Sequence, residues 1–355
     1  MEQLTSYEQF ILVSFELCQK AVKDYSNKFS KKTYRQCQLL TLLLLKRYNR
    51  WTYRGTEEQV QANPRIQHFL GLKRTPNYST LQKFYRRLGQ EILEKLFGYV
   101  LKGLKKALKG KRDALGDSTG YRLTNANPHY VGSRWYLRKT PKQQGKRPLQ
   151  RFVKHVILVE EKTLLIFSQH ASWGPAGDCR ELRPVAQKKP PWIRIRALAL
   201  DKGFDSLANH RYVRCHLKAK DAIRIGNGPP GEIRHPFRRR LMRYFPRVFY
   251  RKRSKVEGCI SVMKRKFANY LLTRLGELRF HDVLLLGIIY NIHRGIQLGL
   301  LILCFIEDFN RTMHCYLVKQ GMTAPPCPKQ NPTPYDTHFN YSELKDEYLH
   351  NPLSD

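Results

Sequence analysis

The most constraining feature of the chain is the run YRKRSKVEGCISVMKRKF at residues 250–267, which holds Tyr250, Arg253, Glu257 and Lys264 in the spacing Y-x2-R-x3-E-x6-K. Wound as a helix at about 100° per residue, that spacing puts all four side chains on one stripe within roughly 60° of each other. Val256, Ile260, Met263 and Phe267 make a second, apolar stripe to one side of it. Glu257 then sits at the edge of the buried face. A half-shielded carboxylate flanked by fixed cations and a phenol suits a divalent ion, with its neighbours placed to engage phosphate. A plain basic amphipathic helix, with Glu257 in ordinary i,i+4 pairs, satisfies the same spacing, so the run does not decide alone.

Two upstream carboxylates break the tie. Asp117 follows Ala114-Leu115-Gly116 and precedes Ser118-Thr119-Gly120, which reads as a strand running out into a turn. Asp201 follows the apolar run 197–200 and precedes Lys202-Gly203-Phe204-Asp205-Ser206. Both aspartates are therefore expected at the C-terminal ends of short buried strands, where α/β sheets place their sites.

The set D-S-T-G at 117–120, D-K-G-F-D-S at 201–206 and Tyr250/Arg253/Glu257/Lys264 resembles the DDE transposases of bacterial and archaeal insertion sequences. The resemblance extends over roughly residues 70–295. It includes Thr75–Leu81 ahead of the catalytic part and Gly177–Leu182, similar to the family's H-D-S-x-x-L stretch with Gly177 and Cys179 in place of the usual residues.

What the resemblance implies is an α/β fold: an RNase H-like catalytic domain, its mixed β-sheet flanked by helices, preceded by an all-helical N-terminal domain. Asp117, Asp201 and Glu257 would be the catalytic residues and metal ligands. They would bind two Mg²⁺ ions, with Mn²⁺ able to substitute, for strand cleavage and strand transfer at terminal inverted repeats. Arg253 and Lys264 would grip phosphates and Tyr250 would orient one, unless Tyr250 is simply a packed aromatic. The partner would be double-stranded DNA, at the element's ends and in the target, bound by a homodimer. A domesticated nuclease that cuts without joining, and a DNA-binding protein that kept only the fold, are the alternatives.

Charge points to the same partner. Sixty-five Lys and Arg against 28 Asp and Glu leave a formal net charge of +37, which favours a polyanion and makes binding steeply salt-dependent. Aromatics interleave with the cations through Arg243–Arg253, a mix suited to backbone contact and base stacking.

Three parts are expected. Residues 1–108 read as helical, with apolar helical periodicity through Phe10–Phe15 and Cys37–Leu45. Ser79-Thr80-Leu81-Gln82 reads as a capping box opening a helix that carries Leu81, Phe84, Tyr85 and Leu88. That helix offers Lys83, Arg86 and Arg87 to phosphate if this part reads DNA; a dimerisation unit fits its residues as well.

Residues 109–318 form the catalytic part. Phe152–Leu158 and Thr163–Gln169 read as strands flanking a tight turn, and Ser206 to about His216 as a helix before a strand around Ala222–Ile225. The polar stretch Arg138–Arg147 reads as a loop in which Arg138 and Lys139 touch the DNA backbone or simply sit in solvent. Residues 319–355 are Pro-rich with an acidic end and read as a loose tail.

Other classes are excluded by detail. The apolar stretch Val283–Ile306 is interrupted by Asn291, His293 and Arg294 and reads as a buried closing helix, not a membrane span. Glu2, Glu8 and Glu16 argue against a targeting signal. The eight cysteines show no C-x-x-C pair or zinc spacing and are expected as reduced thiols of a cytoplasmic, nucleoid-associated protein. The Gly-rich segment 226–231 lacks the Lys-Ser/Thr of a phosphate loop, so no nucleotide cofactor is expected.

Overall fold

The computed structural model describes residues 4–29, 31–123, 152–226, 235–273 and 275–301. Helices come first: α1 (Ser6–Ala21), α2 (Gln36–Tyr48), α3 (Tyr53–Ala62), α4 (Pro64–Phe69), α5 (Tyr78–Arg87), α6 (Gln90–Gly103) and the short α7 (Lys105–Leu108). Thr5 and Glu8 close a reciprocal capping box on α1, which buries Phe10, Ile11, Val13 and Leu17. The start of α5 differs from the sequence reading. Asn77, not Ser79, is the cap, its Oδ1 accepting from Ser79 N at 3.0 Å, while Leu81, Phe84, Tyr85 and Leu88 are buried.

The sheet follows as β1 (Gly110–Arg122), β2 (Phe152–Glu160), β3 (Ile166–Gly174), β4 (Ile193–Leu200) and β5 (Lys220–Ile223), with α8 (Leu182–Gln187) before β4 and α9 (Leu207–Arg211) after it. Its order is β3-β2-β1-β4-β5. β1 pairs antiparallel with β2 and parallel with β4, and β5 extends the sheet in parallel beyond β4. This is the mixed, RNase H-like sheet flanked by helices, with a helical segment ahead of it. The β2–β3 turn is held by Glu160, whose Oε2 accepts from Lys162 N, Thr163 N and Thr163 Oγ1.

The chain then forms α10 (Pro236–Arg243), α11 (Arg247–Arg251), α12 (Ser254–Val262), a π-helical turn at Met263–Phe267, and α13 (Leu278–Gln297). α13 is the closing helix. Asn291, buried within it, donates to Ile166 O at 2.6 Å and accepts from Ile166 N at 2.9 Å, so the polar residue that interrupts the apolar stretch satisfies the first backbone groups of β3. Among the described residues no helix is long and apolar enough to cross a membrane.

Helical segment and sheet belong to one compact unit, Met1–Phe305. A buried ion pair fastens them: Arg47 Nη2 of α2 lies 3.1 Å from Asp282 Oδ2 of α13, and Tyr85 Oη of α5 donates to Asp282 Oδ1 at 2.7 Å. Arg50, in the turn after α2, donates to Lys266 O at 3.0 Å, capping the π-helical turn. The tail at 319–355 and the stretch holding Arg138 and Lys139 lie outside the described residues.

Candidate active site

Asp117 lies within β1, not in a turn after it. β1 stays paired with β2 as far as Arg122↔Phe152, and this ladder carries D-S-T-G through as strand. What ends near Asp117 is the pairing with β4, whose last register pair is Leu115↔Ala199. Asp201 follows β4 directly. The two aspartates thus flank the place where parallel strands part. Gly116 is needed there, since a Cβ on it would stand 2.4 Å from Leu200 Cδ2 and 2.6 Å from Leu158 Cδ2.

The expected single helix over 250–267 is bent. α11 stops at Arg251, α12 begins at Ser254, and its end passes into the π-helical turn. The apolar stripe is nonetheless formed: Val256, Met263 and Phe267 are buried and Ile260 is half-buried. The bend lets successive side chains reach different strands. Tyr250 Oη donates to Asp201 Oδ1 at 3.4 Å. Arg253 Nη1 donates to Asp117 Oδ2 at 3.1 Å and its Nη2 to Glu257 Oε1 at 2.5 Å.

Lys264 is not drawn into this cluster. Its ammonium lies 5.5 Å from the centre of the Tyr121 ring, and burial, with Arg122 nearby, lowers its pKa. Lys83, Arg86 and Arg87 are exposed on α5, and no contact joins them to the carboxylates.

Burial raises the pKa of Asp117, and repulsion from Asp201 and Glu257 adds to the rise; the Ser118 N–H and Arg253 oppose it. Arg253 is desolvated too, but Asp117 and Glu257 outweigh that and hold its proton more tightly. Among the described residues no three His, Cys, Asp or Glu side chains are grouped to share a metal ion. The reason is visible at Arg253, whose guanidinium lies between Asp117 and Glu257. The chemistry of the donors still suits a divalent ion: Asp117 feels the like charges of Asp201 and Glu257, and the Arg253 cation already pairs with Asp117 and Glu257.

Of the neighbouring carboxylates, Asp113 is engaged in a two-point pair with Arg196 at the bulge where β1 meets β4. Asp205 accepts from His210 Nε2 at 3.0 Å, from Gly226 N at 2.8 Å and from Arg238. Asp178, in the 177–182 stretch, reaches Ser118, beside Asp117. Lys154, which also binds Asp178, was missed. A lysine next to the apolar run Val156–Val159 of β2 was the signal that could have found it. Arg224, Met242, Phe245, Arg247, Tyr250 and Arg251 line an open cavity of about 340 Å³ beside the cluster.

Comparison with known proteins gives the family. Residues 110–292, over half the chain, match the family model for the transposase DDE domain. The chain belongs to the DDE transposase family. Residues 6–87 match a second model, the transposase domain DUF772, so the helical segment of this transposase is recognised too. Among solved structures the transposase is similar to piggyBac transposase in its synaptic complex with hairpin DNA, at 9% identity and a TM-score of 0.41, over 99% of this chain and 91% of that one. No curated protein matches the sequence.

Proposed function

We propose that this DDE transposase excises and inserts an insertion sequence by cleaving DNA strands at terminal inverted repeats and joining them to target DNA. The observation that carries the reading is the meeting of Asp117, Asp201, Glu257, Tyr250 and Arg253, drawn from three separated segments, where β1 and β4 part. Asp117, Asp201 and Glu257 would hold two Mg²⁺ ions, with Mn²⁺ as substitute. Bound there, the ions would supply an activated water or 3′-hydroxyl and stabilise the leaving oxygen of an in-line displacement.

The rest falls to the chain's own groups. Arg253, which here pairs with Asp117 and Glu257, would offer its planar fork to the phosphate next to the cut. Tyr250 Oη, now on Asp201, is placed to orient that phosphate. Lys264 contributes charge one step further along, above Tyr121. The net charge of +37 holds double-stranded DNA over this face, and a homodimer on paired ends completes the reaction on chromosomal DNA in the cytoplasm.

The test uses purified protein on supercoiled plasmid with Mg²⁺ or Mn²⁺. Alanine at Asp117, Asp201 or Glu257 is expected to abolish metal-dependent cleavage while leaving the protein folded and bound to DNA. Cleavage that survives any of these three changes overturns the proposal.

A further inference from the structure

We infer that Asp178 and Lys154 form a positioning pair, on the face of the sheet opposite Asp117, that sets the separation of Asp117 and Asp201. This rests on the proposal that the two aspartates share metal ions. Side chains alternate along a strand, so Ser118 points away from the face that carries Asp117 and Tyr121. Lys154 lies opposite Gly120 in the β1–β2 register and therefore shares the face of Ser118.

Asp178, in the 3₁₀ turn Asp178–Arg180, meets both side chains there. Its Oδ1 accepts from Ser118 Oγ at 2.9 Å and from Lys154 Nζ at 2.5 Å, and Lys154 also donates to Ala176 O. The Lys154 side chain is 7% exposed, so without Asp178 it would be a buried unpaired charge.

The other edge of Asp178 faces the turn that follows Asp201. A Cβ on Gly203 would stand 2.7 Å from Asp178 Oδ2, so this carboxylate packs directly on the Lys202–Phe204 backbone. Asp178 therefore touches the residue after Asp117 on one side and the turn after Asp201 on the other. It does so just beyond Leu115↔Ala199, where backbone pairing between the two strands has stopped. With no ladder left to fix the gap, a charged side-chain link fixes it. Carboxylates that share ions need such a fixed spacing, and outer partners of metal ligands typically govern about 10–100-fold of metal affinity or activity.

The experiment is calorimetric titration of the full chain with Mn²⁺, without DNA, beside duplex DNA binding and thermal melting. Asp178→Asn keeps the shape but removes the charge that pairs with Lys154. It is expected to weaken Mn²⁺ binding about tenfold, with duplex affinity within about twofold of wild type and cleavage partly restored by excess Mn²⁺. Gly203→Ala crowds the same contact without touching the Lys154 pair and is expected to act in the same direction; it decides the matter if Asp178→Asn fails to fold. Wild-type Mn²⁺ affinity in a folded variant overturns the inference. Asp117→Asn and Asp201→Asn serve as controls: if they too bind Mn²⁺ normally, the metal-site proposal itself falls, whereas if they lose the ions and Asp178→Asn does not, only the positioning pair falls.

Discussion

His210 offers a prediction whose size follows from geometry. Its ring is fully buried between two carboxylates, Nδ1 at 2.7 Å from Asp221 Oδ2 and Nε2 at 3.0 Å from Asp205 Oδ1. A ring that serves an acceptor at each nitrogen donates twice, which only the imidazolium does. The other charges around it are Arg214, 3.8 Å from Asp221, and Arg238 on Asp205, while the Phe237 ring covers one side.

Burial works against the charge on His210, but the two carboxylates outweigh it and lift the pKa from 6.5 to about 9. Each pKa unit corresponds to about 1.4 kcal/mol, so the raised value contributes roughly 3 kcal/mol of folding stability. Because the folded-state value lies above the unfolded one, that contribution is complete below about pH 6.5 and is lost as the pH rises through about 9. Urea unfolding of wild type and His210→Gln across pH 6 to 10 would read it. The stability gap between the two should shrink by roughly 3 kcal/mol over that range, since every other titrating group is common to both. Parallel pH profiles would refute the charged clamp. Asp205 also holds Gly226 N and Arg238, so the clamp ties the turn after Asp201 to α10.

Three further outcomes are expected. Asp282→Asn breaks the buried pair with Arg47 and should cost about 3–5 kcal/mol by denaturant midpoint, because Arg47 is left charged and almost fully enclosed. Asp113→Asn should leave melting temperature and cleavage at wild-type values, in contrast to Asp117, since its partner Arg196 is largely exposed and the pair stands apart from the site. If Lys83, Arg86 or Arg87 contacts DNA phosphate, alanine there should lower the slope of log affinity against log salt by about 0.9 per contact; an unchanged slope in a filter-binding series removes that residue from the interface.

The sheet was legible because its signals are local: apolar runs 152–158 and 197–200, a polar turn between β2 and β3, and Asp201 directly after β4. The errors arose where tertiary pairing overrode local chemistry. Ser118-Thr119-Gly120 has turn residues, but β2 runs alongside and keeps them in strand. Lys252 and Arg253 are good helix formers, yet the helix bends between α11 and α12, where Tyr250 and Arg253 turn to different strands. Asn77 displaced Ser79 as cap, and Glu57 holds its amide from α3 at 3.0 Å, a contact no spacing announces. The Lys154–Asp178 and His210–Asp221 pairs join residues from different elements, so periodicity carries no trace of them.

The most direct test of the account takes a plasmid carrying the gene with its natural flanks and incubates it with purified protein and Mg²⁺ or Mn²⁺, wild type beside Glu257→Gln, with the junctions sequenced. The account predicts breaks at inverted repeats and joining into new sites with wild type, and neither with the variant. Breaks and junctions that persist in Glu257→Gln would contradict it.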